Sequence, residues 1–120
     1  RSLSWKGNRA DMVGVIPADA VMHARPQGRG YVRLRETAGA PWPTEHPQGE
    51  FAAHEFHYSA LENISEPLSY AYEVLRGTGV DGRHDGIVIN NLLACYSHMR
   101  DTDQHHWARR FVEFIRQRRG

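Results

Sequence analysis

The sequence predicts an α/β fold built mostly of short β-strands, with one α-helix at the C-terminal end. Two patterns support this: short runs of β-branched and aromatic residues separated by Gly and Pro, and apolar residues at helical spacing after residue 103. The length of 120 residues is that of one ordinary domain. A single cysteine excludes an internal disulfide framework and is typical of a reducing compartment, so we expect a cytoplasmic protein.

Most of the predicted elements are strands. Residues 31–35 alternate apolar and basic side chains, which indicates a strand with one face in water, and residues 27–30 should form the turn before it. Residues 39–49 contain three prolines and predict a loop, either an ordered excursion or a mobile flap. Residues 77–86 should hold turns. The predicted strands are residues 12–16, 20–24, 31–35, 51–59 and 70–75, and residues 87–89 and 92–96 predict one or two more.

A helix should follow Asp103, whose side chain is a suitable N-cap. Trp107, Phe111, Phe114 and Ile115 fall on one stripe at helical spacing, which predicts a core-facing side. The arginines on the rest of the helix indicate a solvated face, and cations near a helix C-terminus also complement its dipole. The formal net charge of +1 argues against nucleic acid as a partner. No apolar run reaches membrane-spanning length, so we expect no membrane partner.

Strand periodicity sorts the candidate site residues of segment 51–59. In an extended chain His54, Phe56 and Tyr58 share one face, while Glu55 and His57 share the other. Glu55 and His57 can therefore meet, and a carboxylate beside an imidazole raises the imidazole pKa for proton transfer. The alternative is a pair of hydrogen-bonded structural residues. Phe56 should face the core.

A zinc site is not expected. The His-Glu-x-His spacing at residues 54–57 is one residue shorter than the helical metalloprotease motif, and a strand points His54 and His57 to opposite sides.

Cys95 is not expected to be a nucleophile. On a strand Cys95 and Ser97 face one way, whereas Tyr96 and His98 face the other, so His98 cannot activate this thiol. The segment also lacks the sharp glycine-flanked turn that stabilises a thiolate. The sequence therefore predicts that Cys95 is a small buried apolar residue.

Five segments carry a family resemblance. The motif His-Glu-Phe-His-Tyr-Ser at residues 54–59 is the most specific of them, and the others are at residues 11–17, 27–32, 85–86 and 96–98. In this order they resemble cobyrinate a,c-diamide synthases, and more narrowly their homologues encoded with dissimilatory sulfite reductase, which are linked to amidation of sirohaem. The resemblance runs from about residue 3 to the end of the chain.

The resemblance implies an ATP-dependent, glutamine-using amidoligase. An N-terminal synthetase domain would use ATP and Mg²⁺ to activate a tetrapyrrole carboxylate, and a class I glutamine amidotransferase domain would release ammonia from glutamine. Residues 1–120 would be the C-terminal part of that second domain, without its nucleophile elbow and without any cofactor ligand. Because residue 1 is Arg1 rather than Met, we expect a cut or processed start, with residues 1–5 as the end of the helix after the elbow.

The catalytic histidine of the family matches His98, which would deprotonate the absent cysteine and later protonate the leaving ammonia. His54, Glu55, His57 and Tyr58 are candidates for the supporting wall of the site. Where many relatives carry a second histidine two residues after the catalytic one, this chain has Arg100. The catalytic group would therefore be a dyad, or a triad completed by another residue such as Glu55.

The alternative function is a stand-alone, non-catalytic domain that uses the same scaffold to bind a tetrapyrrole or a metal. An isolated 120-residue chain without the cysteine is expected to be inactive as a glutaminase.

Overall fold

The computed structural model describes residues 1–44, 46 and 49–119. Within these ranges the chain forms two β-sheets and one C-terminal helix, which confirms the predicted α/β architecture. No helix in the same ranges is long and apolar enough to span a bilayer. The elements are β1 (Ser2–Trp5), β2 (Asn8–Asp11), β3 (Asp19–Met22), β4 (Gly28–Glu36), β5 (Glu50–His57), β6 (Ser59–Glu62), β7 (Ser69–Arg76), β8 (His84–Ile89), β9 (Leu92–Ala94) and α1 (Trp107–Arg118).

The strands are divided between a mixed sheet and an antiparallel sheet. The mixed sheet has the order β2-β1-β3-β6, in which β1 and β3 are parallel. The larger sheet has the order β5-β4-β7-β8-β9, and all of its pairs are antiparallel. The chain crosses from the larger sheet to the mixed one at Tyr58, so the single strand predicted for residues 51–59 is in fact two strands, β5 and β6.

Strand β4 confirms the predicted alternation. Val32 and Leu34 are 2% and 0% exposed, whereas Tyr31 on the same strand is 80% exposed. Apolar side chains on alternate positions thus cover one face of the larger sheet. The hydrophobic core contains Val32, Leu34, Phe51, Ala53, Ala71 and Tyr72.

Two predictions near the N-terminus were wrong. Residues 1–5 were expected to end a helix, but Ser2–Trp5 forms strand β1, which pairs with β2 and β3. Residues 12–16 were expected to form a strand, but Gly14 takes a φ of +81° and Val13 is 93% exposed. A positive φ interrupts the extended backbone, so the β-branched composition of this segment does not produce a strand.

The turn predicted for residues 27–30 is also wrong, because β4 already begins at Gly28. A Cβ at this position would lie 2.3 Å from Nε2 of His57 and 2.5 Å from Oε2 of Glu55. The glycine here makes space for two side chains of the neighbouring strand rather than for a turn.

Helix α1 forms, but its start and its buried side differ from the prediction. The N-cap position is His106, and Asp101 rather than Asp103 accepts a hydrogen bond from the backbone N–H of Ala108 (3.0 Å). Of the predicted apolar stripe only Phe114 is buried. Phe111 and Ile115 are 42% and 43% exposed.

The helix is attached to the larger sheet by polar and aromatic contacts. The guanidinium of Arg110 forms a two-pronged ion pair with Glu36 on β4, and it also donates to the carbonyls of Trp42 and Pro43. The Trp42 ring stacks against Trp107 at a centroid distance of 6.4 Å.

Candidate active site

His98 is held where the two edges of the larger sheet meet. Its backbone N–H donates to the carbonyl of His54 on β5 (2.6 Å), and the His54 N–H donates to the carbonyl of His98 (3.1 Å). Strands β5 and β9 are the opposite edges of the sheet. The bridge therefore shows that the sheet curls far enough for the segment after β9 to reach β5. His98 itself is exposed, and its ring lies 6.3 Å from the ring of His54.

A buried aspartate fixes the residues that lead to His98. Asp85 on β8 is 0% exposed and accepts hydrogen bonds from the backbone N–H groups of Tyr96 (3.0 Å) and Ser97 (2.9 Å). It also accepts one from the Ser97 hydroxyl (2.6 Å). Sequence reasoning noticed residues 85–86 only as part of a family motif, because a contact between positions 85 and 97 follows from sheet packing and not from spacing.

The predicted contact between Glu55 and His57 is present. Oε2 of Glu55 lies 2.9 Å from Nε2 of His57, and the Glu55 carboxylate also accepts the backbone N–H groups of Thr78 (2.7 Å) and Gly79 (3.0 Å). Burial raises the pKa of Glu55, but the hydrogen bonds from His57 and from these two amides outweigh it, so the pKa lies below its ordinary value. Glu55 thereby joins β5 to the turn between β7 and β8.

Both ring nitrogens of His57 are engaged inside the protein. Nε2 contacts Glu55, and Nδ1 lies 2.9 Å from the carbonyl oxygen of Ser59. The neighbours are a carboxylate oxygen and a backbone carbonyl oxygen, and both are hydrogen-bond acceptors. The His57 ring also stacks on Tyr96 at 3.8 Å. These contacts favour the alternative of a hydrogen-bonded structural pair over a free acid or base.

The opposite face of β5 is exposed and aromatic. Phe56 was predicted to face the core, but it is 49% exposed, so the assignment of the two faces was reversed. Its ring packs against Tyr58 at 5.5 Å, and His54 packs against Tyr31 at 6.1 Å. The larger sheet buries the face of Glu55 and presents the face of His54, next to His98, to solvent.

Comparisons with known proteins identify the family of this chain. The family model for CobB/CobQ-like glutamine amidotransferase domains matches residues 3–104. The chain belongs to that family. The match includes His98, Asp85 and the Glu55–His57 pair, and it ends before helix α1.

The chain is similar to several proteins named cobyrinate a,c-diamide synthase. It is 40% identical over 97% of its length to that of Magnetococcus marinus, and it covers 24% of that protein. It is 36% identical over 93% of its length to the Archaeoglobus fulgidus protein, of which it also covers 24%. The chain thus spans about a quarter of the length of these relatives. No solved structure matches it.

Cys95 is not placed as an activated nucleophile. Its thiol donates to the carbonyl of Ser97 (3.3 Å) instead of contacting a histidine. Desolvation, with a smaller contribution from the charge of Asp85, raises the pKa of the Cys95 thiol to about 12. Cys95 is exposed as a residue but its thiol is desolvated, so the predicted burial holds for the sulfur and was wrong for the residue as a whole.

Among residues 1–44, 46 and 49–119 there is no group of three or more His, Cys, Asp or Glu side chains arranged to hold a metal ion. His54 and His57 point to opposite faces of β5, as the alternation of the strand requires.

A separate cavity of about 460 Å³ lies between the start of α1 and the residues Pro43, Thr44, His46 and Gly49. Its wall includes the Glu36–Arg110 ion pair and His105. Burial, and then the charge of Arg110, lowers the pKa of His105 to about 4. None of the predicted site residues lines this cavity.

Proposed function

We propose that this chain supplies the histidine of a glutamine-hydrolysing site in an ATP-dependent amidoligase that amidates a tetrapyrrole carboxylate. One observation carries the proposal: His98 is exposed while its backbone is fixed, whereas Glu55 and His57 are committed to internal contacts. Membership of the amidotransferase family and the names of the relatives support the reaction class. The narrower proposal, from the resemblance of the motifs, is that sirohaem is the acceptor.

In this function His98 moves a proton. It takes the proton from a cysteine thiol that another part of the parent protein supplies, and the thiolate attacks the amide carbon of glutamine. When the carbon–nitrogen bond breaks, the imidazolium returns the proton to the leaving ammonia and a γ-glutamyl thioester remains. Water then hydrolyses the thioester, which gives glutamate and regenerates the thiol.

ATP and Mg²⁺ would activate the acceptor carboxylate in the N-terminal synthetase domain of the parent protein. We assign none of the described residues to either of them. Residues 1–120 would be the C-terminal part of the amidotransferase domain. A cytoplasmic location stays a prediction.

The contacts favour a catalytic dyad over a triad completed by Glu55. Both carboxylate oxygens of Glu55 are already used by His57, Thr78 and Gly79, and no hydrogen bond joins Glu55 to His98 among the residues that the structure describes. The roles of His54 and Tyr58 would be to line the exposed face on which glutamine and the cysteine meet His98.

The test is His98→Ala in the complete enzyme, assayed with glutamine and with free ammonia. A general base contributes about a hundred- to ten-thousand-fold in rate, so glutamine-dependent amidation should fall by that factor. Ammonia-dependent amidation should persist because it bypasses thioester formation. His84→Ala is a matched control, since His84 is also partly exposed on the same sheet but bonds only to Asp81 in the turn before β8. Equal loss with both nitrogen sources would overturn the role of His98.

A further inference from the structure

Residues 95–97, which lead to His98, are held to β8 by side-chain contacts rather than by a strand ladder. Strand β9 ends at Ala94, and no ladder joins residues 95–97 to β8. The three hydrogen bonds to Asp85 occupy the place that a continued ladder would take. Both backbone donors lie immediately before His98 in the chain.

We infer that Asp85 is a positioning residue that sets the location of His98, an inference that rests on the proposed function. Oδ1 accepts from Tyr96, and Oδ2 accepts from the backbone and the hydroxyl of Ser97. Asp85 is 0% exposed, and hydrogen bonds are stronger in the protein interior than in water. The carboxylate therefore fixes two consecutive peptide groups, and His98 follows directly.

A second contact fixes the same segment from the side of β5. The Tyr96 ring stacks on His57 at 3.8 Å, and its hydroxyl lies 3.0 Å from the Ser59 hydroxyl. Glu55 in turn holds the His57 ring. Tyr96 is therefore held at its backbone by Asp85 and at its ring by His57, so the segment has little freedom to carry His98 away from β5.

Asparagine cannot replace the aspartate at this position. All the neighbours of the Asp85 carboxylate are donors, and an amide offers only one oxygen together with an NH₂ group that also donates. Asp85→Asn should therefore release at least one of the two backbone amides. A misplacement of about 1 Å at a catalytic group can cost about a hundredfold in rate.

The experiment is a double-mutant cycle in the complete enzyme, with Asp85→Asn, His98→Ala and the double variant. Glutaminase rates are measured at high enzyme concentration together with ammonia-dependent amidation. We expect Asp85→Asn to lower kcat with glutamine by about ten- to a hundredfold, with KM for glutamine and the ammonia reaction unchanged. In the His98→Ala background the same substitution should have little further effect, because Asp85 acts through His98.

Asp81→Asn is the matched control. Asp81 also accepts two backbone N–H groups and one side chain, from Arg83 and His84, but it holds the turn before β8 and not the His98 segment. It should leave glutaminase activity nearly unchanged. An equal loss from Asp81→Asn, or the same factor for Asp85→Asn in both backgrounds, would overturn the inference.

Two milder variants keep the test decisive if Asp85→Asn does not fold. Ser97→Ala removes only the hydroxyl contact to Asp85, and Ser97→Thr restores a hydroxyl. We expect a smaller loss of kcat in Ser97→Ala and recovery of kcat in Ser97→Thr. Absence of this pattern would refute the positioning role. Full glutaminase activity in His98→Ala would instead refute the proposed function, so the two failures are distinguishable.

Discussion

The two phenylalanines of β5 provide a direct test of which face of the larger sheet is buried. Phe51 is 2% exposed, and its ring packs against Tyr72 at 5.4 Å and against His105 at 4.0 Å. Phe56 lies on the same strand but is 49% exposed. The same substitution, Phe→Ala, should therefore have very different effects at the two positions.

The expected magnitudes follow from burial. Truncating a buried phenylalanine removes its transfer free energy and leaves a cavity, which together cost about 3–5 kcal/mol for Phe51→Ala. A half-exposed ring loses at most about half of the 1.5–3 kcal/mol that full burial contributes, so Phe56→Ala should cost about 1 kcal/mol. Only the first is a large part of the stability of a small domain, which is about 5–15 kcal/mol.

The assay is urea unfolding of the complete enzyme, followed by hydrogen exchange of peptides from β4 and β7. These peptides report the free energy of unfolding of this sheet alone. The decrease in that free energy should be several times larger for Phe51→Ala than for Phe56→Ala. A cost for Phe56→Ala as large as that for Phe51→Ala would show that our assignment of the buried face is wrong.

Three further predictions follow from the same contacts. The 120-residue chain alone should show no glutaminase activity above background, and an activity abolished by Cys95→Ser would contradict the placement of that thiol. Glu55 has a pKa below its ordinary value of 4.5, so its ionisation stabilises the fold above that pH and less as the pH falls through the folded pKa. Thermal melts should therefore show the largest difference between Glu55→Gln and wild type near neutral pH, and a difference that does not shrink with acid would contradict this. Arg110→Ala should cost about 3–5 kcal/mol in urea unfolding because Glu36 is left buried without its partner, and Glu36→Gln in the same chain should recover part of the loss. No recovery would mean that the packing of Arg110, not the ion pair, is what matters.

Local patterns predicted those elements whose signal is local. The alternation in β4 was recognised because side-chain periodicity reflects one buried face. The runs that form β7, β8 and β9 were recognised from their apolar, β-branched and aromatic residues. Composition gave wrong predictions at two glycines. The positive φ of Gly14 prevents a strand at residues 12–16. Gly28 lies in a strand, where the lack of a side chain makes space for His57, and does not form a turn. The stripe of α1 was overestimated because the helix is held largely through Arg110 and Trp42, contacts that helical spacing does not reveal.

The site was predictable only in part for the same reason. Alternation on β5 was sufficient to predict that Glu55 meets His57. It could not tell which face was buried, because both faces of β5 carry aromatic or ionisable side chains. The bridge from His54 to His98 joins the two edge strands of the larger sheet, and the contact from Asp85 to Ser97 follows from the register in which β9 pairs with β8. Neither register can be read from side-chain alternation.

The central claim is that His98 activates a thiol supplied by another part of the parent protein. The most direct measurement is the rate at which iodoacetamide alkylates the nucleophilic cysteine of the complete enzyme, as a function of pH. That cysteine is identified as the one that glutamine protects from alkylation. With His98 present the thiolate should form at neutral pH, so the rate should already be high near pH 7. In His98→Ala the rate near pH 7 should fall and should rise only through the ordinary cysteine pKa of about 8.5. An alkylation profile identical in the two enzymes would contradict the claim.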